Sequence, residues 1–347
     1  MAEFIMDYCS KFNLPYEFIE GNVVVHLLGK KSDKALIINA HMDTVDYGNK
    51  KSWEYPPIGE KSGKFIDGKI FGLGSSDDKG AITSMLLVAK SFAENIPPYD
   101  LWFMFVKNEE TDGSGSKNFL KWFKKKGYLK KYKSIGAIIG EPTGLTNIEI
   151  GHRGNAFITL TTYGITGHGA EAYPPEDLAI EKMLFALMKL KSVFPKWSEK
   201  YSDKILGQPT MNITFLSTSI NSVNKIPDKC FANLDIRTTP GLHNVIETLL
   251  KKELGDKVSV SKLKEFYPPK LAGKKSIIVK LCKKVIPDYS FSVALGTNDL
   301  GQFLDAGIDA ITLGPGHKDV IHKENEYIEL SQIEKAITLY KKIINLW

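Results

Sequence analysis

Glu109 and Glu110 stand side by side just beyond the apolar run Leu101 to Val106, and such a pair can divide labour. Successive residues leaving a strand face opposite ways, so one carboxylate can hold a cation while its neighbour stays free as a base. Read with His41, Asp77, Glu141 and His322, the pair completes a set of imidazole and carboxylate groups able to hold two cations for a hydrolysis. Three of the motifs lie just past β-prone stretches: Ala35 to Ala40 before His41, Leu101 to Val106 before Glu109, and Ile135 to Gly140 before Glu141. In an open α/β sheet the ligand crevice lies beyond the carboxyl ends of the strands, where such motifs can converge.

Each motif alone has a plainer reading. In His41-Met-Asp43, strand alternation points both side chains the same way, so Asp43 can accept the second imidazole N–H and fix the tautomer. A histidine after an apolar strand is also commonly a satisfied core or surface residue. Gly72-Leu-Gly74-Ser-Ser-Asp77-Asp78-Lys79-Gly80 carries carboxylates through a glycine-rich turn into a helix start, which could be a phosphate loop or an ordinary N-cap. The spacing departs from Gly-x-x-x-x-Gly-Lys-Ser/Thr, however, and two aspartates repel a phosphate, so a cation is the better occupant. Glu109-Glu110 could be surface glutamates in a turn, and Gly140-Glu141-Pro142 a simple rigid turn. Of His317 and His322, which follow Gly314-Pro-Gly316, at least one is expected to be only a surface residue.

The elements that must position these groups change character along the chain. From Val23 to Ile150, β-prone runs alternate with helical ones such as Lys79 to Ala93 and Lys117 to Lys126, as in an α/β layer structure. The middle reads as strand (Ala156 to Tyr163), helix (Asp177 to Val193), two strands (Thr210 to Ser217, Lys229 to Arg237), helix (Leu242 to Leu254) and strand (Lys257 to Ser261). That order matches the split βαβ sandwich. After Lys270 the α/β pattern resumes with a helix near Ser276 to Val285, a strand at Ala310 to Leu313 and a closing helix from Ser331 to Leu346. The expectation is one domain, residues 1–152 and 267–347, with a second, residues 153–266, inserted into it.

Composition bounds the rest. A chain of 347 residues, 43% of them hydrophobic, has material for two cores. No apolar run approaches the roughly 20 residues of a membrane span and the start lacks a signal pattern, so a cytoplasmic protein is expected. Cys9, Cys230 and Cys282 are scattered and odd in number, which speaks against a disulfide framework or a cysteine zinc site. The net charge of +6 rests on stretches such as Lys121 to Lys126, Lys130-Lys131 and Lys274-Lys275, which read as solvated faces. Among 46 lysines and arginines only Arg153 and Arg237 are arginine, which argues against a nucleic-acid reader. It also suggests that a planar, bidentate guanidinium is needed at those two places.

Taken together, His41-x-Asp43, Gly74-x-x-Asp77-x-Lys79-Gly80, Glu109-Glu110, Gly140-Glu141-Pro142 and Gly314-Pro-Gly316 followed by His322 occur in a familiar order. Over nearly its whole length the chain resembles the acetylornithine deacetylase, succinyl-diaminopimelate desuccinylase, aminoacylase and carboxypeptidase G family of di-zinc metallopeptidases. The resemblance implies an α/β, mixed-sheet, di-zinc aminopeptidase-like catalytic domain with an inserted split βαβ (ferredoxin-like) lid and dimerisation domain. It implies that His41, Asp77 and Glu141 hold one zinc and Asp77, Glu110 and His322 the other, with Asp77 bridging; cobalt or manganese could replace zinc. Asp43 would orient His41 and Glu109 would be the general base. By the same resemblance His168, Asn224 and Arg237 reach the substrate from the lid, Gly296-Thr297 form a substrate-contacting loop, and His168 serves a neighbouring subunit of a homodimer.

In that reading two divalent cations sharing a carboxylate hold a hydroxide, the water's pKa falling from about 16 toward about 7, and polarise the scissile carbonyl. Glu109 takes the water's proton and passes it to the leaving amine. Arg237 clamps the substrate's α-carboxylate with two parallel hydrogen bonds. The chain departs from the family pattern in its short segment before His41, in Gly169-Ala170 after His168, and in Asp46 and Asp78, but no expected ligand is lost. The expected activity is hydrolysis of the amide of an N-acyl amino acid or small peptide with a free carboxylate, of the lysine, ornithine or arginine biosynthesis type. A dipeptidase or carboxypeptidase is the rival enzyme, and a non-catalytic metal-binding interaction protein the rival of another class. Compact length and Gly296-Thr-Asn-Asp299 resemble the branch that releases lysine or ornithine from an acidic amino-group carrier protein, which a basic surface would suit.

Overall fold

A computed structural model describes residues 1–273 and 275–347; Lys274, half of the basic pair Lys274-Lys275, lies outside the described residues. The chain divides into two compact units, the first Met1–Gly151, Leu271–Ser292 and Asn298–Trp347, the second His152–Lys270 and Val293–Thr297. Residues 293–297, which the sequence pattern groups with the first domain, thus cluster with the second unit.

The first unit is built on a nine-stranded mixed sheet. Its four central strands run parallel in the order Tyr99–Val106, Lys31–His41, Ser134–Pro142, Asp309–Gly314. Strands covered on both faces should be continuously apolar rather than alternating, and Tyr99–Val106 is buried at every position. Leu36, Ile38, Leu101, Phe103 and Phe105 pack on one face with residues of the helices Gly80–Ala93, Ile277–Val285 and Leu330–Leu346. Ala35, Ile37, Trp102, Met104 and Val106 pack on the other with Ser114–Lys125 and Leu300–Asp305. The short segment before His41 still supplies a helix, Ala2–Lys11, whose Ile5 and Cys9 enter the first of these cores.

Parallel register brings the carboxyl ends of these strands to one edge: His41 lies beside Val106, and Asn39 beside Ile139. Gly314, opposite Pro142 after a register shift, comes so close to the neighbouring strand that a Cβ there would stand 1.6 Å from the Gly140 carbonyl oxygen. A separate three-stranded sheet joins Lys64–Ile66, Lys69–Phe71 and Tyr327–Glu329. It pins the segment entering the Gly72–Lys79 loop to the segment that follows His322.

The second unit is a four-stranded antiparallel sheet in the order Thr210–Thr218, Lys229–Thr238, Gly154–Tyr163, Val258–Lys262. With the helices Ala179–Lys200 and Ile246–Leu254 after the first and third strands in chain order, this is the split βαβ arrangement. Along Lys229–Thr238, alternation sends Cys230, Ala232, Leu234 and Ile236 into a core shared with those helices. Asn233, Asp235 and Arg237 therefore line the opposite face. The first helix runs on through Pro195 to Lys200, past the Val193 limit expected from the pattern, because its later turns still bury Phe194. All three cysteines are free and buried, and among the described residues no helix is long and apolar enough to cross a membrane.

Candidate metal centre

At the carboxyl edge of the large sheet the last residue of Lys31–His41 meets the glycine-rich loop. The His41 Nε2 atom lies 2.9 Å from Asp77 Oδ1 and 3.8 Å from Glu141 Oε1. Its Nδ1 is 2.9 Å from the main-chain oxygen of Asp43 and 3.6 Å from that residue's carboxylate. Asp43 thus meets the ring with its carbonyl and, farther off, with the carboxylate to which the sequence pattern pointed. The Asp43 carboxylate also accepts the N–H groups of Glu109 at 3.2 Å and Glu110 at 3.1 Å. One residue thus ties the His41 strand exit to the loop bearing both glutamates.

On the other side of Asp77, His322 Nε2 lies 3.3 Å from Oδ2 and 3.0 Å from Glu110 Oε1. Two donor groups result, His41, Asp77, Glu141 and Asp77, Glu110, His322, each with donor atoms within 4.8 Å of one another. Asp77 belongs to both and turns a different oxygen to each imidazole. Glu109 belongs to neither. The other histidine of the pair, His317, has its Nε2 3.2 Å from the Glu329 carboxylate instead.

The electrostatics test whether cations fit. Burial, then the carboxylates of Glu109 and Asp77, push Glu141 well above the usual carboxylate range. Burial, then Asp299, does the same to Glu109, and burial with Asp77 does it to Asp78. Hydrogen bonds to Asp77 and Glu110 raise His322 to about 10. Burial alone would lower His41, but Asp43, Asp77 and Glu141 outweigh it and leave it well above the ordinary value. Carboxylates driven to keep protons beside imidazoles driven to gain them describe a cluster short of positive charge, which divalent cations supply. Imidazole nitrogen with carboxylate oxygen and no thiolate suits zinc, cobalt or manganese.

Sequence patterns did not single out three further residues as parts of this site. Asp299, fully buried, accepts hydrogen bonds from Asn39 and Ser116 at 3.0 and 2.5 Å. Glu326 accepts main-chain N–H groups of the Asp77 loop. Ser76 Oγ accepts the His317 N–H at 3.0 Å, joining that loop to the segment carrying His322. In the sequence, Ser76 precedes Asp77 in the glycine-rich motif, Asp299 ends Gly296-Thr-Asn-Asp299, and Glu326 lies four residues after His322.

The five residues expected to meet substrate all lie in the second unit, in two places. Exposed His168 and Asn224 come together where Gly167–His168 pairs with Lys225–Ile226 and the Gly169 N–H bonds the Asn224 carbonyl at 2.9 Å. Arg237 lines a cleft of ≈ 800 Å³ with Arg153, Asp235, Gln208 and Gly296, so both arginines of the chain share one cavity. Thr297, next to Gly296, accepts from Asn155 at 3.3 Å. The Arg237 fork is not open: Asp235 holds its Nε at 2.8 Å and its Nη2 at 2.9 Å, leaving Nη1, which faces Gly296. Arg153 donates from Nη1 to the Gln208 carbonyl at 2.7 Å, and among the described residues its buried Nε has no hydrogen-bond partner.

A model of peptidase family M20/M25/M40 matches residues 37–346. The chain is 30% identical over 329 residues to an acetylornithine deacetylase of Buchnera aphidicola, covering 89% of this chain and 80% of that one. It is 30% identical over 341 residues to a succinyl-diaminopimelate desuccinylase of Blochmanniella floridana, covering 91% and 83%. Among solved structures, an M20 family metallo-carboxypeptidase from Sulfolobus solfataricus superposes with a TM-score of 0.73 at 20% identity, covering 99% and 93%.

The charge balance gives a pH dependence with a definite sign. In cation-free protein, His322 at about 10 and the raised His41 stabilise the fold fully below the ordinary histidine value of 6.5, and that contribution is lost as pH rises through their folded values. Cation binding requires neutral imidazoles and strengthens over the same range. The gap in melting temperature between zinc-loaded and EDTA-treated protein is therefore expected to widen from about pH 6 to about pH 9 by scanning fluorimetry. A gap that narrows would show that these histidines are not ligands.

Proposed function

Because the chain belongs to peptidase family M20/M25/M40 and is a metal-dependent hydrolase, we propose that it cleaves the amide bond of N-acyl amino acids that keep a free carboxylate. The observation that carries this reading is the Asp77 carboxylate shared by two donor groups, with the Glu109 carboxyl beside both and committed to neither. Two cations held there, zinc by the preference of such donors, would supply Lewis acidity at the scissile carbonyl and acidify the attacking water. Glu109, whose carboxyl belongs to neither donor group, is suited to take a proton from water and deliver it to the leaving nitrogen. Asp43 fixes where it stands by holding its main-chain N–H.

The substrate class follows from the arginines. Burial, then Arg237, disfavours the charge on Arg153, and an anion in their cleft would relieve that cost. A substrate carboxylate fits, received by Arg237 Nη1 or, if Asp235 gives way, by the full fork. Two relatives bear the names of deacylases, which favours an acyl group over a second amino acid. A lysine or ornithine conjugate of an acidic carrier protein is the macromolecular form of the same substrate. We further propose a homodimer in which His168 of one copy donates an N–H to the developing oxyanion in the other. The second unit presents Ile180, Leu184, Phe185 and Met188 on one helix, and Phe215 and Leu216 on its edge strand, to solvent. Exposed apolar residues and edge strands favour association.

On a panel of N-acetyl and N-succinyl amino acids, carrier conjugates and dipeptides, the zinc-loaded protein is expected to favour acyl amino acids or conjugates. Preference for dipeptides would make it a dipeptidase, and no turnover with ions bound would make it a binding protein. Glu109→Gln should lower turnover by about 10²-fold or more with metal content retained, by assay and metal analysis; lost metal with retained turnover would mean that Glu109 and Glu110 have exchanged roles. Arg237→Lys should raise KM strongly, since lysine lacks the planar fork, and an unchanged KM would remove Arg237 from substrate binding. Mixing inactive His168→Ala and Glu109→Gln subunits should restore activity in heterodimers. Exchange of subunits without recovery would rule out the role across the interface.

A further inference from the structure

We infer that Glu326 is the positioning residue of the bridging carboxylate, and that through Asp77 it sets the affinity of both cation positions together. The inference rests on the two-cation reading of the site. Glu326 is a member of neither donor group, yet it is only 2% exposed. Its Oε1 accepts the N–H groups of Ser76 at 2.8 Å and Asp77 at 2.9 Å, and its Oε2 accepts that of Gly74 at 2.8 Å. The Glu326 main-chain oxygen takes a fourth, from Gly72, at 2.9 Å.

One residue thus gathers four N–H groups from the loop that ends in Asp77. The loop's other ties are scattered: the Leu73 N–H to the Pro57 carbonyl, the Lys79 ammonium to the Leu73 carbonyl, and the His317 N–H to Ser76 Oγ, each a single bond involving a different residue. Gly72 and Gly74 have φ of 159° and 76°, a freedom that leaves the chain soft unless something outside it fixes the peptide planes. Three N–H groups converging on one buried carboxylate are charge-assisted, and without their acceptor each would be left unsatisfied in the interior. The Asp77 side chain has its oxygens turned to His41 and His322 because its own N–H, and that of its neighbour, are held in place.

The location of Glu326 adds a second effect. It stands four residues beyond His322, and the adjoining strand Tyr327–Glu329 pairs with Lys69–Phe71, which leads into the same loop. The segment that supplies the second imidazole is therefore the segment that fixes the shared carboxylate. Loss of a ligand specific to one group, such as Glu141, should weaken chiefly one ion. Loss of the Glu326 carboxylate displaces the one ligand common to both, so both ions should weaken together.

The test is titration of metal-free protein with Co2+, followed by visible absorption and calorimetry, for wild type, Glu326→Gln, Glu326→Asp, Glu141→Gln and Tyr99→Phe. Glutamine keeps the size but presents an NH2 where an acceptor is needed; aspartate keeps the charge but withdraws it by one methylene. Glu326→Gln is expected to weaken both Co2+ ions by about 10- to 100-fold and to alter the cobalt spectrum, with Glu326→Asp weakening both by less. Glu141→Gln should weaken one. Tyr99→Phe loses a buried hydrogen bond to the Ile344 carbonyl, with Tyr99 at the opposite end of the parallel strands, and should lower the melting temperature without changing Co2+ affinity. Should Glu326→Gln not fold, Glu326→Asp carries the comparison. Folded Glu326 variants that bind two Co2+ ions as wild type does, or that weaken only one, overturn the inference, as does an equal loss in Tyr99→Phe. Wild-type protein that takes up no Co2+ overturns the two-cation reading itself.

Discussion

A single carboxylate shared by two imidazoles governs the architecture of the first unit. Asp77 faces His41 with one oxygen and His322 with the other, and around it lie Glu110, Glu141, Glu109, Asp43 and Asp78. So much negative charge, gathered where water is scarce, cannot stay ionised without compensation. Protons on the two histidines compensate part of it, and Glu141, Glu109 and Asp78 answer the remainder by resisting ionisation. Divalent cations replace those protons with twice the charge and a preference for the same atoms.

Holding that cluster in shape is the task of the parallel sheet. Its strands are apolar on both faces, so their register is set by two cores and their ends stop at a common edge. His41 is the last residue of one strand and Glu141 the penultimate residue of another, and both inherit their positions from buried neighbours. Glu109 and Glu110 lie beyond the strand end and need a further tie, which the Asp43 carboxylate provides. The glycine-rich loop needs most support, and it receives it from the chain segment after His322 through Glu326, Ser76 and a short three-stranded sheet. Close approach adds a constraint of its own, since only glycine at 314 lets its strand meet Gly140.

The second unit follows a different economy of charge. In a chain that uses lysine almost everywhere, both arginines line one cleft. Lysine would serve if only charge mattered; a flat fork that can be held by Asp235 on one side and still donate on the other is a property of the guanidinium alone. The aspartate keeps Arg237 in one orientation over the Phe157 ring, 5.5 Å from its centre, so that its remaining donors point in a defined direction before any ligand arrives.

Much of this was legible in the sequence, for a physical reason. Apolar runs of strand length ending in His41, Glu109-Glu110 and Glu141 announce buried strands with polar chemistry at their ends, and the βαββαβ order of the middle segment is written in its hydrophobic periods. Both signals are local, carried by residues near one another in the chain. The short strands Lys64–Ile66 and Tyr327–Glu329, and the helix Leu300–Asp305, left no such trace, because their partners rather than their own composition stabilise them. The same holds within the site. That the Asp43 carboxylate holds the main chain of the glutamate loop 66 residues further on, and that a glutamate 249 residues away in sequence holds the Asp77 N–H, are facts of long-range packing. The sequence by itself determined which groups could do the chemistry. Only the tertiary structure decided which hydrogen bonds aim them, because those bonds join atoms that no local pattern relates.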